Sequence, residues 1–464
     1  MEKQFKDCHN EELQKKLDKI ITKAKYGGYK PIIDEVFQRR AYEFGDLPEF
    51  DIDKEIKTFA KNVRSISTSS KMNFAGRYKK GLISGKIIIN KELLQRFSPE
   101  ELLEIFTHEV GHAITSRNKK DMGLHNRVSF RELMKRELNE VRGKKSEEII
   151  DGSALDEVFV ENTATRLVYS GDANNFDVKG SSYTSISFVP SMLAAALGMS
   201  EKELLYAGNQ SRDIFMQKIL ERFPEAKRVQ AQEKMKTFEL NLENMYECLF
   251  QTGTKYGIPQ MLGKTMNSIF DIANLHMASD TRNVSSEVMV ELIYRNTRMR
   301  QISDRVIQKL VDEKILPHEK VEDTRSYFES SQKKISDLIF DKYRSKGAGV
   351  EITQEQYRAN VEKEQFDSGK QWDNTIANKL YSLIERDEKT SVLSNAISTI
   401  KNMFVRERKP KLRERIQRHL PSPNPNPFGL YKVTTPKLSK RETIRDSSKG
   451  NVSRPDDPSI NDGR

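Results

Sequence analysis

Apolar side chains recur at helical spacing along most of this chain and at strand spacing in one short stretch. Leu13, Leu17, Ile20 and Ile21 share one side of a helix over about 10–24, which Gly27-Gly28 ends. A second pattern follows Pro31, with Ile33, Val36, Phe37, Ala41 and Phe44, and stops at Gly45-Asp46-Leu47-Pro48. A third, with Ile56, Phe59 and Ala60, covers about 52–63. The pattern then changes. Ser and Thr cluster at 65–70, Gly76, Gly81 and Gly85 punctuate short runs, and Leu82-Ile83 and Ile87-Ile88-Ile89 favour strand, so a hairpin or small sheet is predicted over 72–90. A strong helix follows. Ser98 can cap it, Pro99 suits its first position, Glu101 completes a capping box, and Leu102, Phe106, Val110 and Ala113 face a core. Further helices are predicted at 126–142 (Phe130, Leu133, Met134, Leu138, Val141), from Ser153 to about Leu167 (Leu155, Phe159), at 187–197, and from the capping box Ser200–Glu203. From about 210 to 405 the pattern is nearly all helix, at 226–252, 261–278, 286–312, 320–344, 353–365 and 373–403.

The chemistry sits in the helix that Ser98 opens. His108-Glu109-Val110-Gly111-His112 reads H-E-x-x-H, and the four-residue spacing projects both imidazoles from one face about one turn apart. That geometry lets His108 and His112 grip one metal ion at roughly 2.0–2.1 Å each. Glu109 points to the adjoining side, where it can take a proton from a metal-bound water. The other reading is a surface helix with two hydrated histidines. A third ligand decides between them, because a catalytic zinc usually takes three protein ligands plus water. The metzincin continuation, a further Gly and His, is missing: Ala113-Ile114-Thr115-Ser116-Arg117-Asn118 follows, and His125 lacks the spacing.

Downstream, Asp156-Glu157-Val158-Phe159-Val160-Glu161 lies on the helix after Ser153, with Glu157 and Glu161 four apart on one face. Together with H-E-x-x-H, these residues resemble the gluzincin zinc metallopeptidases, whose second helix carries (Asp/Asn)-Glu-x-x-x-(Glu/Asp). The resemblance spans roughly 65–205 and rests on two short motifs. It implies Zn²⁺ held by His108, His112 and Glu157, with Glu161 orienting a histidine, as a ligating imidazole usually needs. It also implies that the strand before the motif helix forms a sheet edge along the cleft, where an extended polypeptide substrate could pair. An exposed acidic face and a plain structural hairpin are the alternatives at those two places. Tyr183 is a candidate donor to the oxyanion that develops in peptide hydrolysis.

Composition changes the picture at the far end. Residues 401–464 carry 16 Lys or Arg against 7 Asp or Glu, so most of the formal charge of +11 lies there and the remainder is nearly neutral. With Pro421-Ser422-Pro423-Asn424-Pro425-Asn426-Pro427 and little apolar content, 406–464 is predicted to be a disordered basic tail that could attract nucleic acid or an anionic surface. Cys8 and Cys248 match no metal spacing and suggest no disulfide framework. No apolar run reaches membrane-span length and no secretory leader is visible, so a soluble, cytoplasmic protein is expected.

The expected architecture is α+β and predominantly helical. It comprises a helical lead-in (1–63), a zincin-like metallopeptidase domain with a small mixed sheet (64–222), a large all-α region (223–405) and the tail (406–464). The expected activity is zinc-dependent hydrolysis of peptide bonds with Glu109 as general base. Two alternatives stay open: a non-catalytic interaction scaffold clipped by the metal, and a protein acting on nucleic acid or an anionic surface through its tail.

Overall fold

The computed structural model describes residues 9–70, 72, 75–79, 85–92, 96–115, 153–169, 185–251, 257–282, 284–344, 352–359 and 375–386. Predictions at 126–142, His125, Tyr183, 387–403 and 406–464 lie outside these residues. All the described residues fall in one unit, Met1–Leu430.

The lead-in folds as α1 (Glu11–Ile20), a short α2 (Lys23–Tyr26), α3 (Lys30–Phe44) and α4 (Ile52–Asn62). Asn10 and Asp51 cap α1 and α4 by accepting backbone N–H bonds. Helix α3 is covered on nearly every side, and its buried charges are paired. Arg40 makes two bonds to Glu55 of α4, at 2.7 and 3.0 Å. Arg39 bonds Glu35 at 2.8 Å and the Leu167 carbonyl at 2.9 Å.

Helix α4 runs straight into β1 (Val63–Ser69), followed by β2 (Gly76–Lys79) and β3 (Gly85–Asn90). The sheet order is β1-β3-β2, with β1 parallel and β2 antiparallel to the central strand. The sheet predicted over 72–90 begins earlier, because the Ser/Thr cluster at 65–70 lies largely in strand β1. Only Val63 of β1 is buried, so it carries no apolar run, and its place comes from pairing Ile66 and Thr68 with Ile87 and Ile89.

After the sheet come α5 (Pro99–Thr115) and α6 (Ser153–Val168). The remainder is helical: α7 (Val189–Leu197), α8 (Glu201–Gly208), α9 (Arg212–Glu221), α10 (Glu225–Tyr246), α11 (Ile258–Ser279), α12 (Ser286–Asp312), α13 (Val321–Ser326) and α14 (Glu329–Arg344). Short helices at 354–359 (α15) and 375–386 (α16) follow. The single helix predicted over 320–344 is therefore two. The break turns Phe328 into the core, where it stacks on Phe270 at 5.6 Å between ring centroids. Among the described residues, no helix is long and apolar enough to cross a membrane.

The buried apolar residues form two large clusters. One gathers α1, α3, α4, the sheet and α5; the other gathers α6 through α14. Helix α6 contributes to both, with Val168 in the first and Leu155, Val158 and Phe159 in the second. Ile376, Ala377, Leu380 and Ile384 of α16 belong to the first cluster, so the chain returns to its amino-terminal half after the helical region. Replacing Leu380 by Ala should therefore destabilise this half by about 2–5 kcal/mol, the usual cost of emptying a buried leucine site. Lys379→Ala, at an exposed neighbour, should stay within about 0.5 kcal/mol in the same denaturant titration.

Candidate metal centre

The start of α5 is built as its sequence requires. Ser98 Oγ accepts from the Glu101 N–H at 3.2 Å, and Glu101 Oε2 accepts from the Ser98 N–H at 2.6 Å. Leu102, Phe106, Val110 and Ala113 are buried, as predicted. So is the polar face: His108, Glu109 and His112 are only 7%, 6% and 8% exposed. That removes the reading of two hydrated surface histidines, because α6 covers them.

Helices α5 and α6 run antiparallel, with polar rungs at every fourth residue of α5. His112 Nδ1 lies 3.1 Å from Asp156 Oδ2, and His108 Nδ1 lies 2.8 Å from Glu161 Oε2. One turn further on, the Thr165 hydroxyl donates to Glu104. The close approach depends on Gly111. A Cβ there would stand 2.8 Å from Val160 Cγ1, so a larger residue would force Val160 or its helix to shift. The first turn of α6 is held from the helical region, where Glu243 of α10 accepts the Ala154 N–H at 3.0 Å.

Each imidazole thus spends its Nδ1–H on a carboxylate, which assigns the lone pair to Nε2. The two Nε2 atoms face each other 2.9 Å apart. Glu157 Oε2 completes the triangle at 3.1 Å from His108 Nε2 and 3.4 Å from His112 Nε2. That oxygen is buried and has no hydrogen-bond partner of good geometry. Three acceptor atoms cannot crowd together in a buried site unless a proton or a cation lies among them. A tetrahedral ion with ligand bonds of about 2.0–2.1 Å needs ligand atoms about 3.3 Å apart, and this triangle matches. The donor set of two imidazoles and a carboxylate suits Zn²⁺. Among the described residues, His108, His112 and Glu157 are the one group so arranged.

Residues 52–141 match the family model of peptidase family M48. This is a zinc metallopeptidase family of the gluzincin type. The match covers α4, the sheet and α5 and ends before α6, so Glu157 and its helix lie outside it. Comparison with curated proteins and with solved structures finds no match.

Within and beside the M48-matching segment, the charges are tightly coupled. Burial opposes the protonated form of both imidazoles, but the surrounding carboxylates prevail. Glu157 and Glu161 hold His108 well above its ordinary pKa, and Glu157 and Asp156 raise His112 to about 10. Glu157 is depressed well below the carboxylate range, because the two histidines outweigh its burial. Burial pushes Glu109 up. Burial and the nearby Glu161 raise Glu104 to about 8. Glu109 interacts electrostatically with His108, His112 and Glu157, and one of its oxygens accepts the backbone N–H of Tyr78 on β2.

Sequence reasoning gave no role to Asp156 or Glu104. The fourfold spacing was the available signal, since 104, 108 and 112 on one helix oppose 165, 161 and 156–157 on the other. Tyr78 left no signal, because it contributes only a backbone N–H.

In the metal-free protein the raised His112 contributes stability below its usual pKa of 6.5, and that contribution is lost as pH rises through about 10. A metal needs both imidazoles neutral. Zinc affinity should therefore climb steadily across that window, with proton release on binding, as calorimetry in buffers of different ionisation enthalpy would measure. Affinity flat with pH would contradict the proton-bearing pair.

Proposed function

We propose that this protein is a zinc-dependent metallopeptidase that hydrolyses peptide bonds in a polypeptide, with His108, His112 and Glu157 as the metal ligands and Glu109 as general base. The observation that carries this reading is the convergence of three buried donor atoms from α5 and α6, with Glu109 beside them, on a segment that matches a metallopeptidase family. Bound zinc would polarise the scissile carbonyl and make a water molecule acidic near neutral pH.

The chain's own groups supply the remainder. Glu161 and Asp156 hold the Nδ1 protons of His108 and His112, which fixes each ring with Nε2 inward. Glu109, more basic than an exposed carboxylate because it is buried, takes a proton from the attacking water. It then passes that proton to the nitrogen of the leaving amine. Among the described residues, strand β2 pairs only with β3, and it lies against α5 beside Glu109. An extended polypeptide could add to such an edge through backbone hydrogen bonds. This favours a polypeptide over a small molecule as the substrate.

Glu109→Gln should keep full zinc content while peptide hydrolysis falls by about 10²–10⁴-fold, the range for loss of a general base. Zinc analysis and cleavage of an unstructured protein substrate, run side by side with the wild type, would show it. Unchanged hydrolysis in the zinc-loaded variant would reject Glu109 as the base.

A further inference from the structure

Glu109 is gripped by a strand as well as carried by a helix. Gly76 and Tyr78 are two apart on β2, opposite Ile89 and Ile87 of β3, so they present the same edge to α5. The Tyr78 N–H points away from β3 and donates to Glu109 Oε2. The other oxygen lies over Gly76. A Cβ at Gly76 would stand 2.9 Å from Glu109 Oε1, 3.0 Å from Glu109 Cγ and 2.6 Å from Ile105 Cγ2. Ile105 and Glu109 are one turn apart on α5, so the bare Cα of Gly76 lets the strand press onto that turn. Both carboxylate oxygens are then held by β2, one by a donor and one by contact.

We propose that Gly76 and the Tyr78 N–H are the positioning elements of the general base: β2 fixes the rotamer of Glu109 through the missing side chain at 76 and the backbone donor at 78. This rests on the reading of Glu109 as base. The Tyr78 N–H then serves the enzyme's own carboxylate and is not free to pair with a substrate strand.

The test has two arms. In the metal-free full-length protein, amide exchange at Tyr78, read with nitrogen-labelled tyrosine, should be slow. In Glu109→Ala it should rise at least tenfold, while the Ile87 and Ile89 amides of β3 keep their protection. Unchanged Tyr78 exchange in Glu109→Ala overturns the proposal. In the zinc-loaded enzyme, Gly76→Ala should leave metal content intact and KM nearly constant while kcat falls on the order of 10²-fold, the cost of a misplaced reacting group. Cleavage by Gly76→Ala at the wild-type rate overturns it. Should Gly76→Ala disturb β3 protection, the double variant Gly76→Ala with Ile105→Ala removes the closest steric neighbour and keeps the crowding of Glu109. It should remain slow, and a restored rate overturns the proposal. Failure of the base assignment itself would appear separately, as normal hydrolysis by zinc-loaded Glu109→Gln with the Tyr78 exchange result unaffected.

Discussion

Three buried acceptor atoms on two helices, 2.9 to 3.4 Å apart, are the constraint that the rest of the structure serves. Bringing such groups together in a low-dielectric interior costs several kcal/mol per ionised side chain. Their neighbours show how the cost is offset. Every Nδ1 has a carboxylate partner, the helices approach closely at Gly111, and α6 is held at its first turn by Glu243 and at its last by Arg39 on the Leu167 carbonyl. Without a cation the arrangement takes up protons on its histidines. Metal and protons therefore compete for the same place.

The two cores explain why the site sits where it does. Helix α5 belongs to the core built on the sheet and the lead-in helices; α6 reaches into the core of the helical region. The donor triangle forms where these two bodies of packing meet. Strand β2 meets α5 at Glu109, whereas the two histidines meet α6. Adjacent residues of one helix thus meet different neighbours, as a rotation of about 100° per residue requires.

Much of this was legible in the sequence, because helices announce themselves through spacing. The caps at Ser98 and Ser200, the apolar stripe through Leu102, Phe106 and Val110, and the fourfold intervals of His108, His112, Glu157 and Glu161 all follow from 3.6 residues per turn. What escaped was information held in tertiary pairing. Strand β1 is polar and takes its identity from β3. Asp156 looked like the flank of a motif until His112 stood opposite it. The contact of Tyr78 with Glu109 uses a backbone group that every residue except proline carries. The return of α16 to the first core uses an ordinary apolar stripe, and nothing local says which surface it will meet.

The most direct measurement is zinc affinity by competition with a chromophoric chelator, for the wild type beside Glu157→Ala. If α5 and α6 present their side chains to a single cation, the wild type binds one zinc per chain. The variant then loses more than the ~10–100-fold that removal of an outer hydrogen-bonding partner costs. Full occupancy at wild-type affinity in Glu157→Ala would contradict the account, because the carboxylate of the second helix would then have no part in holding the metal.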